Sequence, residues 1–488
     1  MSNLSDLLPA GAGGKQVDFV ASGTIGNGVT VGLKTNGQVE ALSSTVYPVS
    51  LGGETEINGE TFDKGAYGVY DVGSGKILFF LETNTGYIRG VVGTISGTTI
   101  SFGTMIYLTS SPYNTGVRAV YAPSAGKVVV AVARPANYGG SICYLLTVSG
   151  TSFTVQDTQT SGLGQTSYFI SMAYANNKLA AVYYGTNGQL VACQLTATST
   201  SITSGADINI TNGTSADYNY AAIGHDQDNK VVVLYKDTSN YPVAVAITTS
   251  GNGYTVGTVK QLQNATTVRN YFNASYDSVN KKIIGVISDS SELTYAVAID
   301  SSSGTITNGA FYQISAVAST AKNYLSAAVG FHVPSAKTLV FQYYSTGNQA
   351  GIFPLNVSGL TITGDSPTLG IGLGDVPSGL TGAVNSSTSS MGILWRDGAN
   401  SDLPTGQVFT PAWTLTNYTS FVGISDAAIS SGVSGSVTVK GGIASNVTSL
   451  TPNSNYYVQT NGTLSTTTST VFAGRALSST SINLDYTT

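Results

Sequence analysis

Short apolar runs, most of them led by a lysine and each preceded by a polar turn, recur along the whole middle of the chain. They read Lys76-Ile-Leu-Phe-Phe-Leu, Lys127-Val-Val-Val-Ala-Val, Lys178-Leu-Ala-Ala-Val-Tyr, Lys230-Val-Val-Val-Leu-Tyr, Lys282-Ile-Ile-Gly-Val-Ile, Lys337-Thr-Leu-Val-Phe-Gln and Ser390-Met-Gly-Ile-Leu-Trp. Successive runs begin 51, 51, 52, 52, 55 and 53 residues apart. Runs of this length, rich in β-branched and aromatic residues and flanked by Gly, Asn, Asp and Ser, are strands. Self-similarity at a period near fifty marks a repeat architecture whose units bury their apolar faces against one another.

Each period divides into four strands. In the fourth, Tyr218-Asn-Tyr-Ala-Ala-Ile-Gly leads through the turn Asp226-Gln-Asp-Asn into Lys230–Tyr235. A polar turn from Asp237 to Asn240, a third strand Val243-Ala-Val-Ala-Ile, the turn Ser250-Gly-Asn-Gly and a last strand from Tyr254 complete it. Ser96-Gly-Thr, Ser149-Gly-Thr and Ser358-Gly-Leu-Thr repeat the third turn elsewhere. Four strands per unit of about 51 residues describe a β-propeller blade. The expected fold is all-β: a seven-bladed β-propeller over residues 64–417. A solenoid coil is far shorter than this unit, and a sandwich domain is about twice as long.

The flanks differ from the repeat. Residues 1–20 read as a leader that anchors the chain, 21–63 as one half of a small β-domain and 418–488 as the other. Thr35-Asn-Gly-Gln-Val and Thr460-Asn-Gly-Thr-Leu are matching Asn-Gly turns between apolar alternations. Closure of a propeller brings its ends together, so the two flanks are expected to build one small β-barrel or sandwich jointly. Helix is expected at most as a turn at Ser5–Leu8 or Asp426–Ser430.

Composition narrows the function. Only 9 % of the 488 residues are charged, against the roughly 25 % of ordinary soluble domains, and the net charge is −5. No basic stripe follows the repeats, which argues against nucleic acid as a partner. The N-terminus lacks the charged and apolar segments of a signal peptide, and no apolar run is long enough to span a bilayer. Cys143 and Cys193 stand 50 residues apart at equivalent places in adjacent repeats and are expected to be buried free thiols.

Catalytic tools are sparse. His225 and His332 lie in different repeats without a second ligand nearby, and read as strand-end residues. No Gly-x-Ser-x-Gly elbow occurs, and the Gly-rich stretches at Gly11 and Gly370 precede no helix that could hold a phosphate. Asp226-Gln-Asp-Asn lacks the glycine and distal glutamate of a calcium loop. No catalytic residue, cofactor site or metal site is therefore assigned. A glycan hydrolase would need two carboxylates facing across a cleft, which sequence alone cannot pair.

Tyrosine, present 29 times, is the suggestive side chain. Tyr168, Tyr220, Tyr271 and Tyr324 recur 52, 51 and 53 residues apart at the start of each unit's first strand. They either pack between adjacent blades or form an aromatic ring at one end of the propeller, suited to glycans or protein contact. Tyr138 in Ala-Asn-Tyr-Gly-Gly and Tyr241 in Ser-Asn-Tyr-Pro stand on the loop between second and third strands, which varies between units as recognition loops do. That loop is the favoured recognition side.

The opening Met1-Ser-Asn-Leu-Ser-Asp-Leu-Leu-Pro-Ala-Gly, with Ala21-Ser-Gly-Thr-Ile-Gly-Asn-Gly, resembles the start of structural proteins of marine tailed phages. The closing Phe421-Val-Gly-Ile-Ser, Tyr456-Tyr-Val-Gln-Thr-Asn-Gly and Ala473-Gly-Arg-Ala-Leu-Ser are similar to C-terminal segments of phage fibre-like proteins, and the repeated strand phrase resembles that of cyanophage fibres and adhesins. This resemblance implies a tail fibre, appendage or capsid-attached virion protein, assembled in the host cytoplasm, homo-oligomeric, bound to other virion proteins through its flanks and to host-surface glycan or protein through its loops. A purely architectural decoration protein and a propeller glycan hydrolase are the alternatives.

Overall fold

The computed structural model describes residues 15–34, 36–47, 50–57, 61–109, 116–134, 140–160, 170–185, 189–211, 222–225, 230–263, 268–291, 293–314, 328–333, 337–344, 349–364, 368–372, 381–385, 390–397, 401–410, 413–416 and 420–484. No α-helix occurs among them, and no helix is long and apolar enough to cross a membrane. The chain divides into two compact units, Ser50–Pro411 and Met1–Val49 with Ala412–Thr488.

In the larger unit the described strands form antiparallel sheets that follow one another along the chain. Sheet 1 joins Phe62–Asp71, Lys76–Thr83, Ile88–Ser96 and Thr99–Phe102, and sheet 2 joins Gly116–Ala122, Lys127–Ala133, Ile142–Ser149 and Ser152–Gln159. Sheets 3 to 6 repeat the plan around Lys178–Tyr184, Lys230–Lys236, Lys282–Asp289 and Lys337–Tyr344, and sheet 7 is built around Met391–Asp397. Four-stranded sheets stacked in this serial way are the blades of a β-propeller.

The near-continuous apolarity of each second strand follows from this stacking, because both of its faces are covered. In sheet 2, Val128, Val130 and Val132 pack with Leu78 and Phe80 of sheet 1. The alternate residues Val129, Ala131 and Ala133 pack with Leu179 and Ala181 of sheet 3. All six are fully buried. The period-2 geometry of a strand thus builds two different cores from one run.

The last sheet departs from the expected boundaries. Its third strand, Leu403–Thr410, pairs with Ser50–Leu51 and Thr55–Glu56, which come from before the first sheet. Ser50–Glu56, placed by the sequence in the N-terminal flank, therefore belongs to the propeller. Two-residue strands carry too little periodicity to be read in advance.

Neighbouring sheets also lock at their outer edges. A Cβ placed on Gly103 of sheet 1 would lie 1.9 Å from the carbonyl oxygen of Thr151, in the outer turn of sheet 2. Gly52 and Gly309 meet the carbonyls of Thr98 and Leu360 in the same way, at 1.7 and 1.8 Å. Only glycine lets the backbones approach so closely. The partner turns carry glycines of positive φ, Gly97 at 59° and Gly150 at 60°, which fits the repeated Ser-Gly-Thr phrase.

The smaller unit interleaves both flanks. One sheet runs Gln16–Val20, Ser434–Val439, Phe421–Ser425, Thr30–Leu33 and Val39–Ala41, so residues 16–20 are strand rather than leader. A second sheet, Ile443–Ala444, Ile482–Leu484, Phe472–Ala476, Asn455–Val458 and Leu464–Ser465, comes from the C-terminal flank. The matching Asn-Gly turns fold alike, with Gly37 at φ 82° and Gly462 at 81°. Asp426–Ser430 forms no helical turn; there Ile429 bridges Ile25. Ser5–Leu8 lies outside the described residues.

Candidate functional site

Each sheet of the propeller has two different ends. At one end lie the turn between first and second strands and the outer turn between third and fourth. At the other end lies the loop between second and third strands.

The loop end is built on a side-chain cap at the close of the second strand. In sheet 4, Asp237 Oδ1 accepts the backbone N–H groups of Ser239 and Tyr241, at 2.9 and 2.8 Å. Its own N–H donates to the Tyr241 carbonyl at 3.0 Å, and Asn240 takes a positive φ of 66°. Asp289 caps Ser291 and Leu293 of sheet 5 in the same way, at 2.9 and 2.8 Å. Thr83 does so in sheet 1, taking the Tyr87 N–H on its hydroxyl at 3.2 Å. Short polar side chains that bond the backbone a few residues on are the usual makers of such turns.

Beyond this cap, which sheets 1, 4 and 5 share, the loop ends display different side chains. In sheet 1 the Tyr87 and Tyr107 rings meet edge to face at 5.4 Å and 80°. The Arg89 guanidinium lies over the Tyr107 ring, 3.7 Å from its centroid, and donates to the Tyr107 hydroxyl. Tyr107 is 53 % exposed, whereas Tyr87 and Arg89 are half-buried. Arg89 and Tyr107 are register partners, because Ile106–Tyr107 returns to pair with the third strand after Gly103. In sheet 5 the Tyr295 and Phe311 rings meet at 6.5 Å. Burial, with Asp289 beside it, pushes the Tyr295 hydroxyl above the usual phenol range. Sheet 7 is charged at this end: Arg396 and Asp402 pair at 2.6 Å, and partial burial beside Asp397 and Glu56 raises the Glu54 carboxyl.

Of the residues singled out by sequence, Tyr241 is the one with a described side chain. It is half-buried and its backbone closes the Asp237 turn. Tyr271 lies within the first strand Val268–Asp277 of sheet 5. Tyr138, Tyr168, Tyr220 and Tyr324 lie outside the described residues. Tyr87, Arg89 and Tyr107 are additions made by the structure. Tyr87 carried a readable signal, because it stands eleven residues after Lys76, as Tyr138 and Tyr241 stand after Lys127 and Lys230.

Cys143 and Cys193 are buried and free, within one core cluster between sheets 2 and 3. Burial pushes the Cys193 thiol up to about 12, with Asp207 adding to the effect. His225 ends the first strand of sheet 4, and His332 lies in Ala328–Val333 of sheet 6. Among the described residues no group of three His, Cys, Asp or Glu stands where it could hold a metal ion.

No protein-family model matches the chain, and no curated protein matches it. Among solved structures the chain is similar to the BP39L lectin from Burkholderia pseudomallei, with a TM-score of 0.52 and 10 % identity over 73 % of this chain and 97 % of that one. A protein of unknown function from Dyadobacter fermentans also matches, at TM-score 0.43 and 11 % identity over 76 % of this chain and 99 % of that one. The Aleuria aurantia lectin, a six-bladed β-propeller, matches at TM-score 0.39 and 14 % identity over 64 % of this chain and 97 % of that one. The first likeness is one of fold.

Proposed function

We propose that this chain is a non-catalytic carbohydrate-binding protein, with a propeller of seven blades that takes its ligands at the loop end. The count of seven is supported by closure. Thr381–Val384, the first strand of sheet 7, lies against Phe62–Asp71 of sheet 1. Ile77, Phe79 and Leu81 share a core with Ala383, Leu394 and Val408.

One observation carries the binding assignment: the exposed Tyr107 ring with Arg89 across it and Tyr87 at its side. A saccharide offers apolar C–H faces and hydroxyl rims, so an aromatic ring beside a guanidinium donor matches both. The fold likeness to a protein described as a lectin agrees with this reading.

The resemblance of both flanks to phage structural proteins supports a further part of the proposal. The chain is displayed in many copies on a virion, where weak single sites add up through avidity. Detection of the protein by mass spectrometry in purified particles tests that placement, and its absence from them contradicts it. A glycan array read with wild type, Tyr107→Ala and Arg89→Ala tests the binding. Release of shorter glycans from a bound hit would assign the site to a hydrolase instead.

A further inference from the structure

The turn end carries a row of cations whose charges are balanced differently from sheet to sheet. Lys76, Lys127 and Lys178 each begin the second strand of sheets 1, 2 and 3. Each ammonium group donates to a threonine hydroxyl on the third strand of its own sheet. The pairs are Lys76–Thr94 at 2.9 Å, Lys127–Thr147 at 2.7 Å and Lys178–Thr196 at 2.8 Å. In sheet 5 the equivalent Lys282 instead forms an ion pair with Asp300 at 3.0 Å, from the matching place on the third strand. The same lysine is thus neutralised in sheet 5 and held by neutral hydroxyls in three consecutive sheets.

Among the described residues no carboxylate forms an ion pair with these three ammonium groups. Asp71, the register partner of Lys76, is buried, and its carboxylate accepts from the Gly73 N–H and the Ser74 hydroxyl. The register partners of Lys127 and Lys178 are Ala122 and Ala175. The turns bind the three sheets into one surface. The Tyr174 hydroxyl of sheet 3 accepts the Ser124 N–H of sheet 2 at 3.3 Å and donates to Asn177 at 2.8 Å. Tyr121 of sheet 2 stands 3.5 Å from where a Cβ on Gly73 of sheet 1 would lie.

We propose that this face binds an acidic polysaccharide along sheets 1 to 3, each Lys–Thr pair taking one carboxylate or sulfate. An ammonium group has three N–H donors, of which one is spent on the threonine. The threonine oxygen accepts that bond, which leaves the O–H of Thr94 and Thr196 for the same anion, while the Thr147 O–H, which faces Gln156 Oε1 at 3.5 Å, has to turn from it. Paired donors on an ionised acceptor make the stronger class of hydrogen bond. The lysines are half-buried, whereas the turn residues before them, Val72, Ser124, Asn176 and Asn177 among them, are exposed. A substituent on a slender chain reaches half-buried charges more readily than a flat lipid surface does. Tyr121 and Tyr174 are half-buried, and the Tyr174 hydroxyl is engaged in the turns, whereas stacked bases need open aromatic faces. This site is separate from the loop-end site and stands or falls without it.

The test is binding of the full chain to dextran sulfate, with neutral dextran and single-stranded oligothymidine as comparators, by biolayer interferometry. Wild type binds dextran sulfate, and binding weakens as salt rises from roughly 50 to 300 mM. Replacing all three lysines by glutamine weakens it at least about tenfold, and replacing Thr94, Thr147 and Thr196 by valine weakens it about threefold with every charge kept. Lys282→Gln and Tyr107→Ala stay within about twofold of wild type. Thermal melts confirm folding; should a triple variant unfold, Lys127→Gln and Thr147→Val alone carry the test with proportionate losses. Absence of dextran sulfate binding, unchanged binding by the lysine variants, equal binding of neutral dextran or tighter binding of oligothymidine each overturns the proposal.

Discussion

In sheets 1 and 5 the two ends use the same capping chemistry for different purposes. At the turn end, Asp71 and Asp277 hold the turn after the first strand, and glycines such as Gly103 let the next sheet approach. The buried aspartate recurs in sheets 1 and 5, and the close glycine approach at Gly52, Gly103 and Gly309. At the loop end the cap recurs as Thr83, Asp237 and Asp289, but the side chains displayed there change: an aromatic–arginine cluster in sheet 1, an aromatic pair in sheet 5 and, in sheet 7, charges. Repetition here marks what every sheet needs for packing, and variation marks what packing leaves free.

The contrast predicts that equivalent changes cost more at the turn end. Gly103→Ala forces a methyl group against the Thr151 carbonyl and is expected to destabilise the propeller by about 3 kcal/mol in chemical denaturation. A loss under about 1 kcal/mol would mean that the sheets slide apart freely. Asp277→Ala removes a fully buried carboxylate that takes three hydrogen bonds, from the Val279 and Asn280 N–H groups and the Asn280 side chain. A loss of about 2 kcal/mol is expected there, against about 1 kcal/mol for the more exposed Asp237→Ala at the loop end. Equal losses would erase the distinction.

Acid titration probes the turn end at a single pair. Partial burial tends to raise the Asp300 carboxyl, but the Ser302 hydrogen bonds and Lys282 outweigh it and hold the group below its ordinary range. A carboxyl depressed by folding stabilises the protein above its unfolded value, and the contribution is lost as pH falls through the folded one. Asp300→Asn should therefore flatten the acid limb of the stability curve, read by melting temperature against pH; an unchanged limb would show the pair to be inert. A smaller effect belongs to the sheet interior. With its thiol raised to about 12, native Cys193 should not react with a thiol reagent near neutral pH until the chain unfolds.

Much of the fold was legible because one strand is buried on both faces. That strand has to be apolar at every position, so it stands out of the chain as a phrase and its recurrence gives the unit length. The closing strands Ser50–Leu51 and Thr55–Glu56 were not legible, since two residues show no alternation and their partner lies some 350 residues away. The candidate site was half legible. Tyr87 shares the register of Tyr138 and Tyr241, so its place on the loop could be read from the sequence. Tyr107 could not be found this way: it reaches Arg89 only because the fourth strand breaks after Phe102 and rejoins the sheet at Ile106. Nor did a count of charges reveal the lysine row, whose members are dispersed in sequence and meet only when the sheets stack.

The central claim is that the variable loop end binds carbohydrate. Its most direct test is a glycan array probed with wild type and Tyr107→Ala, followed by titration of the strongest hit. The account predicts saturable binding by wild type and a loss of at least about tenfold, or 1.4 kcal/mol, in the variant at unchanged melting temperature. No glycan bound by wild type, or equal binding by both, would contradict it.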